Sequence, residues 1–110
     1  MIQRLAVVLS EEAIADLEAI AVYIFDSSGS ETIANRFVDR IKNRCQGIGN
    51  APRGGRPRDD IMPGLRAVPF EHSAAIVYVV NDNFVRIVNI FYGGRDYEAL
   101  MRDGGSSEPS

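Results

Sequence analysis

Residues 65–91 read Leu-Arg-Ala-Val-Pro-Phe-Glu-His-Ser-Ala-Ala-Ile-Val-Tyr-Val-Val-Asn-Asp-Asn-Phe-Val-Arg-Ile-Val-Asn-Ile-Phe, and this stretch decides the fold. Three apolar runs, 65–70, 74–80 and 84–91, are rich in Val, Ile, Phe and Tyr, the side chains that suit a pleated, half-buried surface. They are parted by Glu71-His72-Ser73 and Asn81-Asp82-Asn83. Such connections are too short for a crossover, so the spacing predicts an antiparallel meander. Pro69 has no N–H to give to a ladder, which places its strand at an edge or a bulge. Apart from Arg86 and Asn89, the run 84–91 is apolar on both faces, as a central covered strand would be.

Working outward, residues 2–9 read as another strand, and Ser10 then stands at an N-cap with Glu11 and Glu12 in the following turn. Ile14, Leu17, Ile20, Ala21 and Ile24 recur at helical spacing and predict a helix over 11–26. Ser27-Ser28-Gly29 breaks it, and Ser30 caps a second helix with the stripe Ile33, Phe37, Ile41, Cys45 and Ile48. So short a junction predicts an antiparallel helical hairpin. Gly49 ends the second helix, a long loop follows over 50–65, and residues 95–102 suit a short last helix. The expected architecture is α+β: a helical hairpin on one face of a four-stranded, mostly antiparallel sheet. Its first strand should enter beside a strand that is not its sequence neighbour. The expected core comprises Ile14, Leu17, Ile24, Phe37, Ile41, Ile76, Tyr78, Val88 and Ile90. The chain reads as one domain over 1–103 with a flexible Gly- and Ser-rich tail over 104–110.

Of the 110 residues, 45% are apolar and 25% charged, which excludes a disordered chain. The apolar runs 5–9, 19–25 and 74–80 fall far short of the roughly 20 residues that span a bilayer. The N-terminus lacks a secretory pattern, and a single cysteine, Cys45, forms no internal disulfide, so the expected compartment is the cytoplasm. A net charge of −3 speaks against a protein whose main task is gripping nucleic acid.

The sequence offers little to an enzyme. His72 is the single histidine, which leaves no second imidazole for a metal cluster or relay, and it sits beside a turn. Cys45 lies on an apolar helix face and reads as a buried thiol. Gly54-Gly55 and Gly93-Gly94 lack the Lys-Ser/Thr of a phosphate loop. No cofactor, metal site or catalytic residue is expected. Two features remain: the basic series Arg53, Arg56, Arg58 and Arg66, and the Arg95-Asp96-Tyr97 step beyond the last strand. Arg66 and Arg95 could converge on an anion, or Asp59, Asp60 and Asp96 could neutralise these arginines in structural ion pairs. Arg36, Arg40 and Arg44 form a row on the second helix that reads as a solvated face.

Leu9-Ser10-Glu11-Glu12-Ala13 with Asp16-Leu17, Ala34-Asn35-Arg36-Phe37, Gly55-Arg56-Pro57-Arg58-Asp59, Pro63-Gly64-Leu65-Arg66 and Gly93-Gly94-Arg95-Asp96 together resemble the ParE toxins of the RelE/ParE superfamily. The resemblance runs from about residue 5 to residue 101. It implies the toxin of a bacterial type II toxin–antitoxin pair, with a RelE/ParE-like fold, neutralised by direct binding of a ParD-like antitoxin. DNA gyrase is the target it implies, without sequence-specific nucleic-acid binding or membrane association. A ribosome-dependent endoribonuclease of RelE type is the competing reading, and a non-toxic relic that still binds its antitoxin is a third. Arg66 and Arg95 match two arginine positions of the superfamily, whereas the lysines of many RelE-like nucleases are missing, since Lys42 is the one lysine. Phosphoryl transfer needs a proton acceptor as well as cations. The residues expected to meet a partner are Arg66, Arg95, Asp96 and Tyr97 at the sheet's end, with Val22, Tyr23 and Val38 along the hairpin.

Overall fold

The computed structural model describes residues 4–93. A short strand, β1 (Ala6–Leu9), leads into helix α1 (Glu11–Ser28). Ser10 makes the turn: its hydroxyl accepts from the Ala13 N–H at 2.9 Å and donates to the Val88 carbonyl at 2.7 Å. One side chain thus caps the helix, worth about 1 kcal/mol, and ties it to the sheet. Helix α2 (Glu31–Ile48) starts on a second serine cap, Ser30, whose hydroxyl accepts from the Ile33 N–H. Beyond it come β2 (Arg56–Pro57), β3 (Arg66–Phe70), β4 (Ala74–Val80) and β5 (Phe84–Tyr92).

The sheet order is β1-β5-β4-β3-β2. β1 runs parallel to β5, and all other pairs are antiparallel. The meander and the displaced first strand are therefore as the sequence predicts. The sheet has five strands rather than four, because Arg56 and Pro57 pair with Ala67 and Arg66. Two residues inside a Gly- and Pro-rich loop carry no periodicity, so this edge pairing leaves no trace in the hydropathy pattern. Pro69 lies past the end of β2, opposite Ala75, on an exposed stretch of β3 where a missing N–H breaks no pairing.

The hairpin packs on one face of the sheet. Ala13, Leu17, Ile20 and Ile24 of α1 meet Phe37, Ile41, Cys45 and Ile48 of α2 and Val68, Phe70, Ile76, Tyr78, Val85, Ile87 and Ile90 of the sheet. Full burial of an isoleucine such as Ile41 or Ile76 contributes roughly 1.5–3 kcal/mol. Phe37 stacks edge-to-face on Phe70 and on Tyr92, with ring centres 5.6 and 5.3 Å apart. On the opposite face Leu65, Ala67 and Val77 form a second small core under the loop that carries Ile61 and Met62.

Two core expectations, Ile14 and Val88, and one position of the second helix's stripe, Ile33, need correction. Ile14 is 48% exposed: Ala13, one position earlier, takes the inward face, and the stripe runs 13, 17, 20, 24. Ile33 is 52% exposed, because Phe37 already sits over Phe70 and Tyr92 at the sheet's end and Ile33 lies a turn beyond it. Val88 is half-buried, since the register steps from Val77↔Asn89 to Tyr78↔Ile87 and Val88 is left as the extra residue of a bulge. It packs against the second, outer core. The last helix expected over 95–102 and the tail lie outside the described residues. Among the described residues, no helix is long and apolar enough to cross a membrane.

Candidate functional site

The basic loop folds into a self-consistent structure. Arg58 turns inward to 7% exposure, and its guanidinium grips Asp60 through Nε at 3.0 Å and Nη2 at 2.8 Å. Its N–H donates to the Leu65 carbonyl, closing the loop, and Asp59 accepts from the Gly64 N–H. Arg66 reaches across from β3 and donates from Nη1 to the carbonyls of Arg53 and Gly55, each at 2.9 Å. Beneath it the Tyr78 hydroxyl accepts from the Gly55 N–H and donates to the Pro52 carbonyl. Burial pushes the Tyr78 hydroxyl pKa up, opposed by the Gly55 N–H and by the charges of Arg66 and Arg44. A side chain at Gly55 would run into the Tyr78 hydroxyl, which explains glycine at this close approach. Arg66 and Arg58 are therefore framework as well as charge, and Arg53 and Arg56 remain exposed on the same loop.

The strand register separates Arg66 from the point where β5 leaves the sheet. Arg66 pairs with Tyr78, whereas Tyr92 pairs with Ala74, which faces Phe70 at the other end of β3. Those ends lie about 13 Å apart along the strand. Arg95, Asp96 and Tyr97 lie outside the described residues. The row on α2 is also more than a solvated face: Arg40 forms a two-pronged pair with Glu71 at 2.8 and 2.9 Å and lies 5.2 Å from the centre of the Phe37 ring. The hydrogen-bonded pair raises the Arg40 pKa and lowers that of Glu71. It holds the β3–β4 turn, where Glu71 and His72 both adopt positive φ. His72 is thus a turn residue at the far end of β3 from Arg66.

Along the hairpin, Val22 and Tyr23 stand on different sides of α1. Val22, 60% exposed, lines a shallow groove with Ala21, Phe25, Glu31, Ala34 and Asn35. Tyr23, 57% exposed, lines a deeper cleft of about 370 Å³ between α1 and β5. Val38 is half-buried against the main core. In the deeper cleft Asp16 Oδ2 accepts from the Ile90 N–H at 2.9 Å and from Asn89 Nδ2 at 3.0 Å. The carboxylate replaces a strand neighbour at the β5 edge, because β1 pairs only with Phe84 to Ile87. Asp16 was missed as a functional candidate, although it lies one helical turn past Glu12 and two turns before Tyr23. Cys45 is fully buried, and its thiol is pushed up to about 11 by burial, against the opposing charge of Arg44. Among the described residues, no cluster of three His, Cys, Asp or Glu side chains could hold a metal.

A family profile described as ParE toxin of type II toxin-antitoxin system, parDE, matches residues 7–97. A chain of the chromosomal ParDE toxin–antitoxin system of P. aeruginosa is similar in structure, with a TM-score of 0.72 and 21% identity over 83% of this chain and 98% of that one. A chain of the RelBE2 toxin–antitoxin complex of Mycobacterium tuberculosis is also similar, with a TM-score of 0.64 and 14% identity over 84% of this chain and 94% of that one. No curated protein matches the chain at a significant level.

Proposed function

The chain belongs to the ParE toxin family of type II toxin–antitoxin systems, and we propose that it acts as a cytoplasmic inhibitor of DNA gyrase neutralised by a ParD-like antitoxin. The observation that carries this reading against RNA cleavage is the chemistry of the basic end. Cleavage by a 2′-OH needs a proton acceptor beside the cations that stabilise the phosphorane-like charge. Tyr78 is the hydroxyl nearest Arg66 in the strand pairing, and it is fully buried with a bond accepted and a bond donated. Arg66 is anchored on two carbonyls and Arg58 on Asp60. His72 stands on the turn beyond Phe70. Among the described residues the carboxylates of this end are engaged, Asp60 by the Arg58 guanidinium and Asp59 by the Gly64 N–H, and the end presents anchored positive charge, which suits a docking surface. Arg66, and Arg95, Asp96 and Tyr97 with it, are the proposed contacts to the target. Val22 and Val38 are proposed to meet the antitoxin through the hairpin groove.

Purified protein should inhibit supercoiling, or trap cleaved DNA, in a reaction holding only gyrase, plasmid and ATP. It should leave messenger RNA intact in a translating extract. Codon-specific cleavage of ribosome-bound messenger RNA, abolished by Arg66→Ala, would make this protein a nuclease instead.

A further inference from the structure

The cleft between α1 and the end of β5 has a charged wall and, among the described residues, no matching cation. Two donors, the Ile90 N–H and Asn89 Nδ2, converge on Asp16 Oδ2. Among the described residues, Oδ1 has no hydrogen-bond partner and no basic side chain pairs with Asp16. A half-buried carboxylate that still has an open oxygen is an incomplete electrostatic arrangement, because a carboxylate accepts about four hydrogen bonds. Two helical turns along, Tyr23 meets Tyr92 edge-to-face at 5.6 Å, and both rings line the cleft together with Ile20, Ile90 and the backbone of Gly93. Aromatic rings attract cations, and arginine over tyrosine is a favoured pairing because the planar guanidinium stacks while its fork reaches a carboxylate.

The charge that α1 brings to the cleft has the same sign. α1 carries Glu11, Glu12, Asp16, Glu18 and Asp26 and not one Lys or Arg, whereas α2 carries Arg36, Arg40, Lys42 and Arg44. The α1 side of the molecule is therefore an acidic surface studded with exposed apolar side chains, among them Ile14, Val22, Tyr23 and Phe25. A segment that covers it must bring apolar residues and positive charge together.

We infer that the α1–β5 cleft is a receptor for an arginine side chain of the neutralising antitoxin, with Asp16 Oδ1 as its counter-ion and Tyr23 and Tyr92 as its aromatic walls. This rests on the reading that the toxin is neutralised by direct binding. It adds a locus of recognition opposite in charge to the basic end of the sheet. The antitoxin segment that lies over α1 therefore carries basic and apolar side chains.

Two measurements test this separately from the antitoxin reading. The first uses the isolated chain and N-acetyl-arginine amide as probe. Titration in the millimolar range should shift the ring resonances of Tyr23 and Tyr92, more than the lysine analogue does, and Asp16→Asn should abolish the shift. That substitution keeps a side-chain carbonyl for the Ile90 N–H and removes the charge, and a melting curve close to that of the wild type confirms the fold. No shift of either ring at tens of millimolar overturns the cleft as an arginine site. The second uses the complex with the neighbouring gene's product, the proposed ParD-like antitoxin. Asp16→Asn and the surface variant Tyr23→Ala should each weaken it roughly tenfold, the scale of one charge-assisted hydrogen bond. One Arg→Ala change in the partner should be non-additive with Asp16→Asn. Asp16→Asn binding within about twofold of wild type, or strict additivity with every partner arginine, refutes the assignment. A wild-type chain that fails to bind its neighbour at micromolar concentration overturns the antitoxin reading and with it the partner assigned here, while the amide titration still decides the cleft.

Discussion

Replacing Tyr78 by phenylalanine removes one oxygen atom from the fully buried centre of β4. That oxygen serves two backbone groups of the long loop: it accepts from the Gly55 N–H at 2.9 Å and donates to the Pro52 carbonyl at 3.0 Å. The Gly55 bond is buried, so its N–H is left without a partner, at a cost of about 1–3 kcal/mol. The Pro52 carbonyl is part-buried and regains water, so its loss is nearer the net value of an ordinary hydrogen bond, about 1 kcal/mol. The expected destabilisation is about 2–4 kcal/mol, which for a domain of this size lowers the melting temperature by roughly 10–20 °C. The Gly55 amide should also lose protection from hydrogen exchange while amides at the α1 end of the sheet keep theirs. pH supplies a second signature. Burial raises the Tyr78 pKa, so the folded state holds its proton to higher pH than the unfolded chain does. That contribution is fully present below the ordinary tyrosine range and is lost as pH rises through the folded value. The Tyr78→Phe protein lacks it, so the two stability curves should converge at alkaline pH. A melting temperature within about 3 °C of wild type, with Gly55 still protected, would refute the claim that this hydroxyl pins the loop.

The buried Cys45 thiol, pushed up to about 11, should resist Ellman's reagent until the protein unfolds, and labelling should track the denaturant transition. Its proton is held more tightly when folded, so its share of stability is complete below the ordinary thiol range and disappears as pH climbs toward about 11. Gly49→Ala should cost about 2 kcal/mol or more in urea melts, because its methyl would run into the Leu5 carbonyl where Leu5 N–H bonds to Gly49. Gly47→Ala, whose methyl meets open space on α2, should instead stabilise by roughly 0.5–1 kcal/mol, and equal effects from the two glycines would contradict the packing of the β1 entry against Gly49.

What the sequence disclosed and what it hid follow from how each feature is encoded. Ser10 and Ser30 announce both helices because a cap is a local signal, a hydroxyl in reach of an N–H three residues on. The meander is legible for a related reason, since turns of a few residues leave neighbouring strands one way to pair. β2 was invisible: its two residues are held by Ala67 and Arg66 and not by any pattern of their own. The basic loop shows the same limit. Sequence offers Asp59 and Asp60 equally to Arg58, and only the fold gives Asp60 the guanidinium and Asp59 the Gly64 N–H. Arg66 reads as a free cation because its partners are carbonyls, which every residue owns.

The misplacement of Ile14 carries information about function as well as about periodicity. α1 has apolar side chains round most of its circumference: Leu17, Ile20 and Ile24 face the core, while Ile14, Val22, Tyr23 and Phe25 do not. A helix whose single task is to cover a sheet has a polar outer face. The exposed residues fall on two sides of α1, one opening to the shallow groove over Ala21 and Ala34, the other to the cleft over Asp16 and Tyr92. Exposed apolar surface in water is a standing cost that a bound partner removes, so contiguous patches of it mark interaction sites. The apolar residues that blur the sequence stripe are the same ones left exposed on α1. On the proposed reading, a partner lying against α1 would cover Ile14 and remove that cost, and an apolar residue at such a position reads as core in the sequence.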